Sequence, residues 1–317
     1  MSTSTAVVID NPRLLGVLCG PNDRNLAEIS TLFSSPVRTR GNEIFLESEN
    51  EELCLFFNRL LRRLTDIAGK DQVVNSRHIQ SVYTALESGR EEDEQVFEES
   101  VIHIPGGLCK VYPRGLRQAE YVQCMSSSDL VFSIGPAGTG KTYLTVAHAL
   151  MELLTRRKRK IVITRPVVES GENLGFLPGD LTQKLGPYLR PLYDAMEDLI
   201  EPDLLARLQA SGQIEVAPLA YMRGRSLKNC YIVLDEAQNT TVEQMKMFLT
   251  RLGEGSRAVV TGDLTQVDLP RPEYNGLADA CKVLSSIDDI AFVHFDSGDV
   301  VRHPLVRKIV DAYKSRA

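Results

Sequence analysis

Ile134-Gly135-Pro136-Ala137-Gly138-Thr139-Gly140-Lys141-Thr142 carries the spacing G-x-x-x-x-G-K-T, and its reading decides the fold. Before it, Leu130 to Ile134 reads as a short buried strand. Behind it, Tyr143 to Thr155 repeats apolar residues at helical spacing, at Leu144, Ala147, Leu150, Met151 and Leu154. Strand, glycine-rich turn and helix in that order make a phosphate-binding loop. The glycines let consecutive N–H groups curl inward, and the helix N-terminus adds the positive end of its dipole. Gly135, Pro136, Ala137, Gly138, Thr139 and Gly140 would form the cradle. Lys141 would reach the outer phosphates and the Thr142 hydroxyl would hold Mg²⁺. A Gly-rich turn without a ligand is the plain alternative, and the flanking strand and helix weigh against it.

Three further apolar runs extend the pattern. Ile161 to Thr164 follows the basic run Arg156 to Lys160 and leads into Arg165-Pro166. Tyr231 to Leu234 ends in Asp235-Glu236, and Ala258 to Thr261 ends in Gly262-Asp263-Leu264-Thr265-Gln266. Asp235 would hold the metal through water and Glu236 would polarise an attacking water. Asp263 and Gln266 would meet the γ-phosphate from the side. An Asp-Glu pair after a strand often only caps a helix, but beside Lys141 and Thr142 the site reading is favoured. Polar residues at the C-terminal ends of several strands agree with a parallel sheet that binds its ligand there.

The wording of these stretches is specific. GPAGTGKT, TRP, DEAQN and TGDLTQVD resemble motifs I, Ia, II and III of superfamily 1 helicase cores. With Glu172-Asn173-Leu174-Gly175-Phe176-Leu177-Pro178-Gly179-Asp180 between them, they are similar to the PhoH-like family of bacterial ATP-binding proteins, from about Val111 to Tyr313. The resemblance implies a RecA-like ATPase fold, ATP with Mg²⁺, and a role in RNA metabolism alongside an rRNA-maturation endoribonuclease. It also implies that Gln118 reads adenine, where the residue alone reads as an ordinary helix-surface glutamine. Arg165 would fall in a motif that contacts nucleic acid. Arg302, in Asp299-Val300-Val301-Arg302-His303-Pro304, would be a finger on the γ-phosphate, or else an ion-pair partner of Asp299. Only one phosphate loop and one such core are present. A finger from Arg302 would therefore act on a neighbouring subunit, and a homo-oligomeric ring such as a hexamer is expected.

Upstream, residues 1–13 read as a disordered tail and 14–90 as a small α/β unit. In that unit Leu14 to Cys19 is a strand and Gly20-Pro21-Asn22-Asp23 a turn. Leu26 to Phe33 is a helix, Val37 to Glu47 a hairpin around Gly41-Asn42, and Asn50 to Ala68 and Ser76 to Leu86 are two more helices. The order resembles a KH-type RNA-binding module, although Gly20-Pro21-Asn22-Asp23 lacks the second glycine of the G-x-x-G loop. Arg38, Arg40, Arg59, Arg62 and Arg63 would contact phosphates, or form a solvated charged face. Residues 91–110 read as an acidic linker and 111–317 as the ATPase domain. Between Gly171 and Tyr193, breakers predict an ordered loop followed by an interrupted amphipathic stretch.

A net charge of −6 over 317 residues argues against coating nucleic acid with the whole surface, while leaving room for a local basic groove. The six cysteines show no C-x-x-C spacing, so neither a disulfide framework nor a zinc site is expected. Without a basic-then-apolar leader or a membrane-length apolar run, a cytoplasmic protein with no membrane partner is expected. The overall expectation is an α/β, RecA-like P-loop NTPase with a KH-like N-terminal domain, an Mg²⁺-dependent ATPase acting on RNA. A nucleotide-gated assembly or adaptor protein without helicase action is the alternative. A small-molecule kinase is weaker, because Glu236 suits water activation and no arginine-rich lid is evident.

Overall fold

The computed structural model describes residues 4–69, 74–87, 96, 97, 99–166, 181–269 and 275–300. The chain divides into two compact units, one of residues 1–101 and 112–119, the other of 102–111 and 120–317.

In the first unit the order is β1 (Ser4–Val8), α1 (Pro12–Cys19), α2 (Arg24–Phe33), β2 (Val37–Arg40), β3 (Glu43–Glu47), α3 (Glu51–Gly69) and α4 (Ser76–Glu87). The strands form an antiparallel sheet in the order β1-β3-β2. Two expectations fail here. Residues 4–8, read as part of a tail, pair with β3 from Ser4↔Glu47 to Val8↔Glu43. That pairing is non-local and leaves no trace in a Ser/Thr-rich stretch. Leu14 to Cys19, read as a strand, belongs to α1. Asn11 caps that helix, its Oδ1 accepting from the N–H of Arg13 at 2.9 Å, and Pro12 starts it. A six-residue apolar run is too short for periodicity to separate helix from strand, and the Asn-Pro start decides it. As a consequence the turn Gly20-Pro21-Asn22-Asp23 joins two helices, the position of the KH loop. Leu18, Ile29, Ile44, Leu46, Phe57, Leu60, Leu61, Leu64 and Ile79 form its core.

Helix α5 (Leu116–Ser127) belongs to the first unit as far as Ala119 and to the second from Glu120, and the second unit goes on with β4 (Leu130–Ile134), α6 (Lys141–Leu154), β5 (Lys160–Arg165), α7 (Leu181–Glu197), α8 (Pro202–Ala210) and β6 (Ile214–Pro218). It ends with β7 (Cys230–Leu234), α9 (Val242–Leu249), β8 (Arg257–Gly262), α10 (Gly276–Leu284) and β9 (Ile290–His294). All six strands are parallel, in the order β6-β5-β7-β8-β4-β9. Every residue of β4 and β7 is buried, which explains their apolar runs, broken only at Ser133: both sheet faces are covered. Alternation within β4 sorts its side chains. Val131 joins Leu144, Leu150 and Leu192 in one core layer, and Leu130, Phe132 and Ile134 join Met245, Phe248 and Leu277 in the other. The stretch expected to be interrupted at Pro187 and Pro191 is the continuous helix α7. Leu189, Leu192 and Met196 pack into the first layer, and that packing outweighs the prolines. Among the described residues no helix is long and apolar enough to cross a membrane.

One buried titrating group sits behind the site. His148, on α6, is fully buried, with Nδ1 2.9 Å from the Tyr231 hydroxyl and Nε2 3.2 Å from Ser126 Oγ. Burial first, then the nearby Arg257 and Arg157, push its pKa from 6.5 to about 3. A depressed folded-state value means the unfolded chain binds the extra proton below pH 6.5. Stability should therefore fall as pH drops from 6.5 towards 3, by roughly 2 kcal/mol over the first two pH units. Urea midpoints measured across that range should show the slope, and His148→Gln should flatten it.

Candidate active site

The C-terminal ends of β4, β5, β7 and β8 bring the predicted groups to one edge of the sheet, and the glycines make the loop possible there. Gly135 lies so close to the chain beyond β9 that a Cβ on it would sit 2.4 Å from the Phe295 carbonyl oxygen. Gly138 and Gly140 take φ of +87° and +85°, a region closed to most side chains. Gly140 precedes α6 without any side-chain cap, which leaves the first turn of that helix to an anion. The cleft in front of the loop encloses about 270 Å³ and is lined by Gly138, Lys141, Thr142, Asp235, Glu236 and Gln266, among others.

Lys141 is nearly buried and folds back over its own loop, its Nζ donating to the carbonyls of Gly135 at 2.7 Å and Pro136 at 2.8 Å. Burial pushes its ammonium below the ordinary lysine value. Asp263, Asp235 and Glu236 oppose that shift and favour the charge. The Thr139 hydroxyl, fully buried, donates to the Pro136 carbonyl and braces the loop from inside.

Asp235 Oδ1 accepts from two hydroxyls, Thr142 at 2.8 Å and Thr261 at 2.6 Å. Side-by-side hydroxyl and carboxylate oxygens are the hard donors Mg²⁺ prefers, with phosphate and water completing its shell, so the residues fit the ion. Thr142 and Asp235 would hold it, and it would neutralise charge on the phosphate oxygens.

Glu236 stands in the left-handed region at φ +54°, a strained setting for a residue with a side chain. Both of its carboxylate oxygens are engaged. Oε1 pairs with Arg165 Nη2 at 3.0 Å, and Oε2 accepts from Gln238 Nε2 at 2.5 Å. Gln238 is itself buried, and its Oε1 accepts the Asp263 N–H at 3.0 Å. Asp263 Oδ2 in turn accepts from the Ala137 N–H at 3.1 Å and from Gln266 Nε2 at 2.8 Å. A single chain of hydrogen bonds thus runs from the phosphate loop through Asp263 and Gln238 to Glu236 and Arg165.

Lys141, Thr142, Asp235, Glu236 and Gln266 are thereby brought to one cleft. Gln118 lies in the first unit, buried, with its Oε1 accepting the Arg114 N–H at 2.7 Å. A surface reading did not anticipate that burial. Arg302 and the segment from Glu172 to Asp180 lie outside the described residues. Asp299, the alternative partner of Arg302, has Oδ2 on the Asp296 N–H at 2.9 Å. Sequence reasoning missed Gln238 and Thr261. Thr261 stands two residues before Asp263 on the same strand end, a signal that could have been used. Nothing in DEAQN singles out Gln238, whose role depends on the left-handed turn at Glu236.

A glycine loop between β4 and α6, a lysine and threonine at the helix start, and an Asp-Glu pair ending a central strand define a P-loop NTPase. A family model described as PhoH-like protein matches residues 110–314, and the chain belongs to that family. It is 47% identical over 303 residues to a PhoH-like protein of Mycobacterium tuberculosis (strain ATCC 25618 / H37Rv), covering 95% of this chain and 85% of that one. It is 46% identical over 306 residues to a PhoH-like protein of Bacillus subtilis (strain 168), covering 96% and 95%. Among solved structures it is similar to the Hef helicase domain of Pyrococcus furiosus, with a TM-score of 0.36 at 17% identity, over 58% of this chain and 38% of that one.

Proposed function

We propose that this protein is a cytoplasmic, Mg²⁺-dependent ATPase that acts on RNA. The observation that carries hydrolysis, rather than transfer to a second substrate, is Glu236. A carboxylate beside the metal-holding Asp235, in the same cleft as Lys141, Thr142 and Gln266, is placed to take a proton from water. Gln266 would sense the γ-phosphate, and Asp263 tethers it to the loop. RNA is supported by the first unit, where the turn Gly20–Asp23 joins two helices and Arg40 and Arg62 are exposed. The acid at Asp23, where a KH loop has glycine, predicts weak, sequence-tolerant binding there.

ATP hydrolysis by the purified chain, with and without structured RNA, tests this reading. RNA should raise the rate, and Arg40→Ala with Arg62→Ala should raise the RNA concentration needed for the rise while leaving basal hydrolysis. Hydrolysis indifferent to RNA would move the weight to a nucleotide-gated assembly or adaptor. The same reading includes a homo-oligomeric ring, completed by Arg302 in trans, and an rRNA-maturation endoribonuclease as partner. Sedimentation with Mg·ATP that shows only monomer at full activity would remove the ring.

A further inference from the structure

We propose that Arg165 is a positioning residue that holds Glu236 out of use until a single-stranded polynucleotide takes its guanidinium. The inference deepens the ATPase reading above and rests on it. To act as a base Glu236 must turn a lone pair to the attacking water, and a donor on each oxygen, Arg165 on one side and Gln238 on the other, fixes the direction in which its remaining lone pairs point. The arrangement is a resting one.

Of the two holds, that of Arg165 is the one built to open. Gln238 is 1% exposed and tied by its other amide atom to the Asp263 N–H. The Arg165 and Glu236 side chains are 20% and 36% exposed, so the pair is partly screened and exchanges at small cost. An arginine fork also accepts a phosphodiester as readily as a carboxylate.

Placement selects the ligand. Arg165 is the last residue of β5, with the nucleotide-facing Asp235 and Glu236 following β7 on one side and β6 on the other. In β6 its register partner is Pro218, and the turn just beyond exposes Tyr221, 54% accessible, and Arg223. An aromatic face and a second cation, in the turn that follows the strand end paired with Arg165, suit a base and its neighbouring phosphate. A phosphodiester bound across these strand ends would draw Arg165 away and free the Glu236 carboxylate to turn a lone pair to water. Glu236 would be unlocked only when both ligands are present.

The test measures ATP turnover by the full-length chain with and without a single-stranded oligouridylate. Arg165→Ala should hydrolyse ATP without RNA at least ~5-fold faster than wild type, the low end of ordinary coupling between sites. Its KM for ATP and thermal midpoint should stay close to wild type, and added oligouridylate should gain little. Arg165→Lys should restore part of the RNA dependence. Arg165→Ala combined with Glu236→Gln should be inactive, since the released rate flows through the glutamate. A basal rate in folded Arg165→Ala that is unchanged or lower than wild type would overturn the proposal. Equal stimulation of wild type by inorganic phosphate would overturn the polynucleotide as the opener. If wild type hydrolyses ATP but ignores RNA, the RNA reading fails, while the hold on Glu236 is still judged by the basal rate of Arg165→Ala.

Discussion

Replacing Lys141 with alanine should abolish measurable ATP binding and lower hydrolysis by at least ~10²-fold, the range found when one preorganised cationic or N–H donor is lost. Its ammonium stands among three carboxylates, Asp263, Asp235 and Glu236, that all act on it. Without it, a triphosphate entering the cleft would meet those carboxylates with one cation fewer. The loop itself would loosen too, since Lys141 bridges the Gly135 and Pro136 carbonyls. Titration calorimetry with Mg·ATP checks the binding loss. With no tryptophan in the chain, intrinsic fluorescence offers only tyrosines as an alternative signal. Binding of ATP by Lys141→Ala at wild-type affinity would remove the cleft as the nucleotide site.

Glu236→Gln should separate binding from chemistry. Glutamine keeps the shape and can accept from Arg165 through its amide oxygen, but it cannot take a proton. Turnover should fall by ~10²- to 10⁴-fold, the usual contribution of a positioned base, while ATP affinity changes little. A single-turnover experiment with pre-bound nucleotide reads the chemical step directly. A near-normal rate would shift the role of base to another group on the cleft, and Asp263 would be the next to test.

Much of the second unit was legible because its signals are local. Fully buried parallel strands show as apolar runs, and the residues that follow them fall at one sheet edge by topology alone. Lys141, Thr142, Asp235, Glu236 and Gln266 could therefore be placed from sequence. The hydrogen-bond chain through Gln238 could not, because it depends on a left-handed glutamate and on side chains meeting across separate strands. In the first unit the two errors have different causes. Ser4–Val8 is a strand only because β3, far along the chain, pairs with it. Pro12–Cys19 is helical through its Asn-Pro start and the burial of Leu18, both quieter than the six apolar letters that suggested a strand. The continuity of α7 through its prolines was likewise set by packing rather than by local propensity.

The seat of the phosphate loop also has a bearing on how the molecule is made. β4 lies between β8 and β9, and Gly135 rests against the backbone of Phe295, whose N–H donates to Ile134 at 2.7 Å. Translation delivers the loop early and its supports late. Until the chain has been made as far as Phe295, the β9 edge of β4 has nothing to pair with and Gly135 has nothing to rest against. The first unit can settle on the nascent chain before any nucleotide can be gripped. Competence for ATP is thus postponed until β9 and Phe295 have been made, and a chain cut short between β8 and β9 would be left with an unsupported loop and one edge of β4 unpaired.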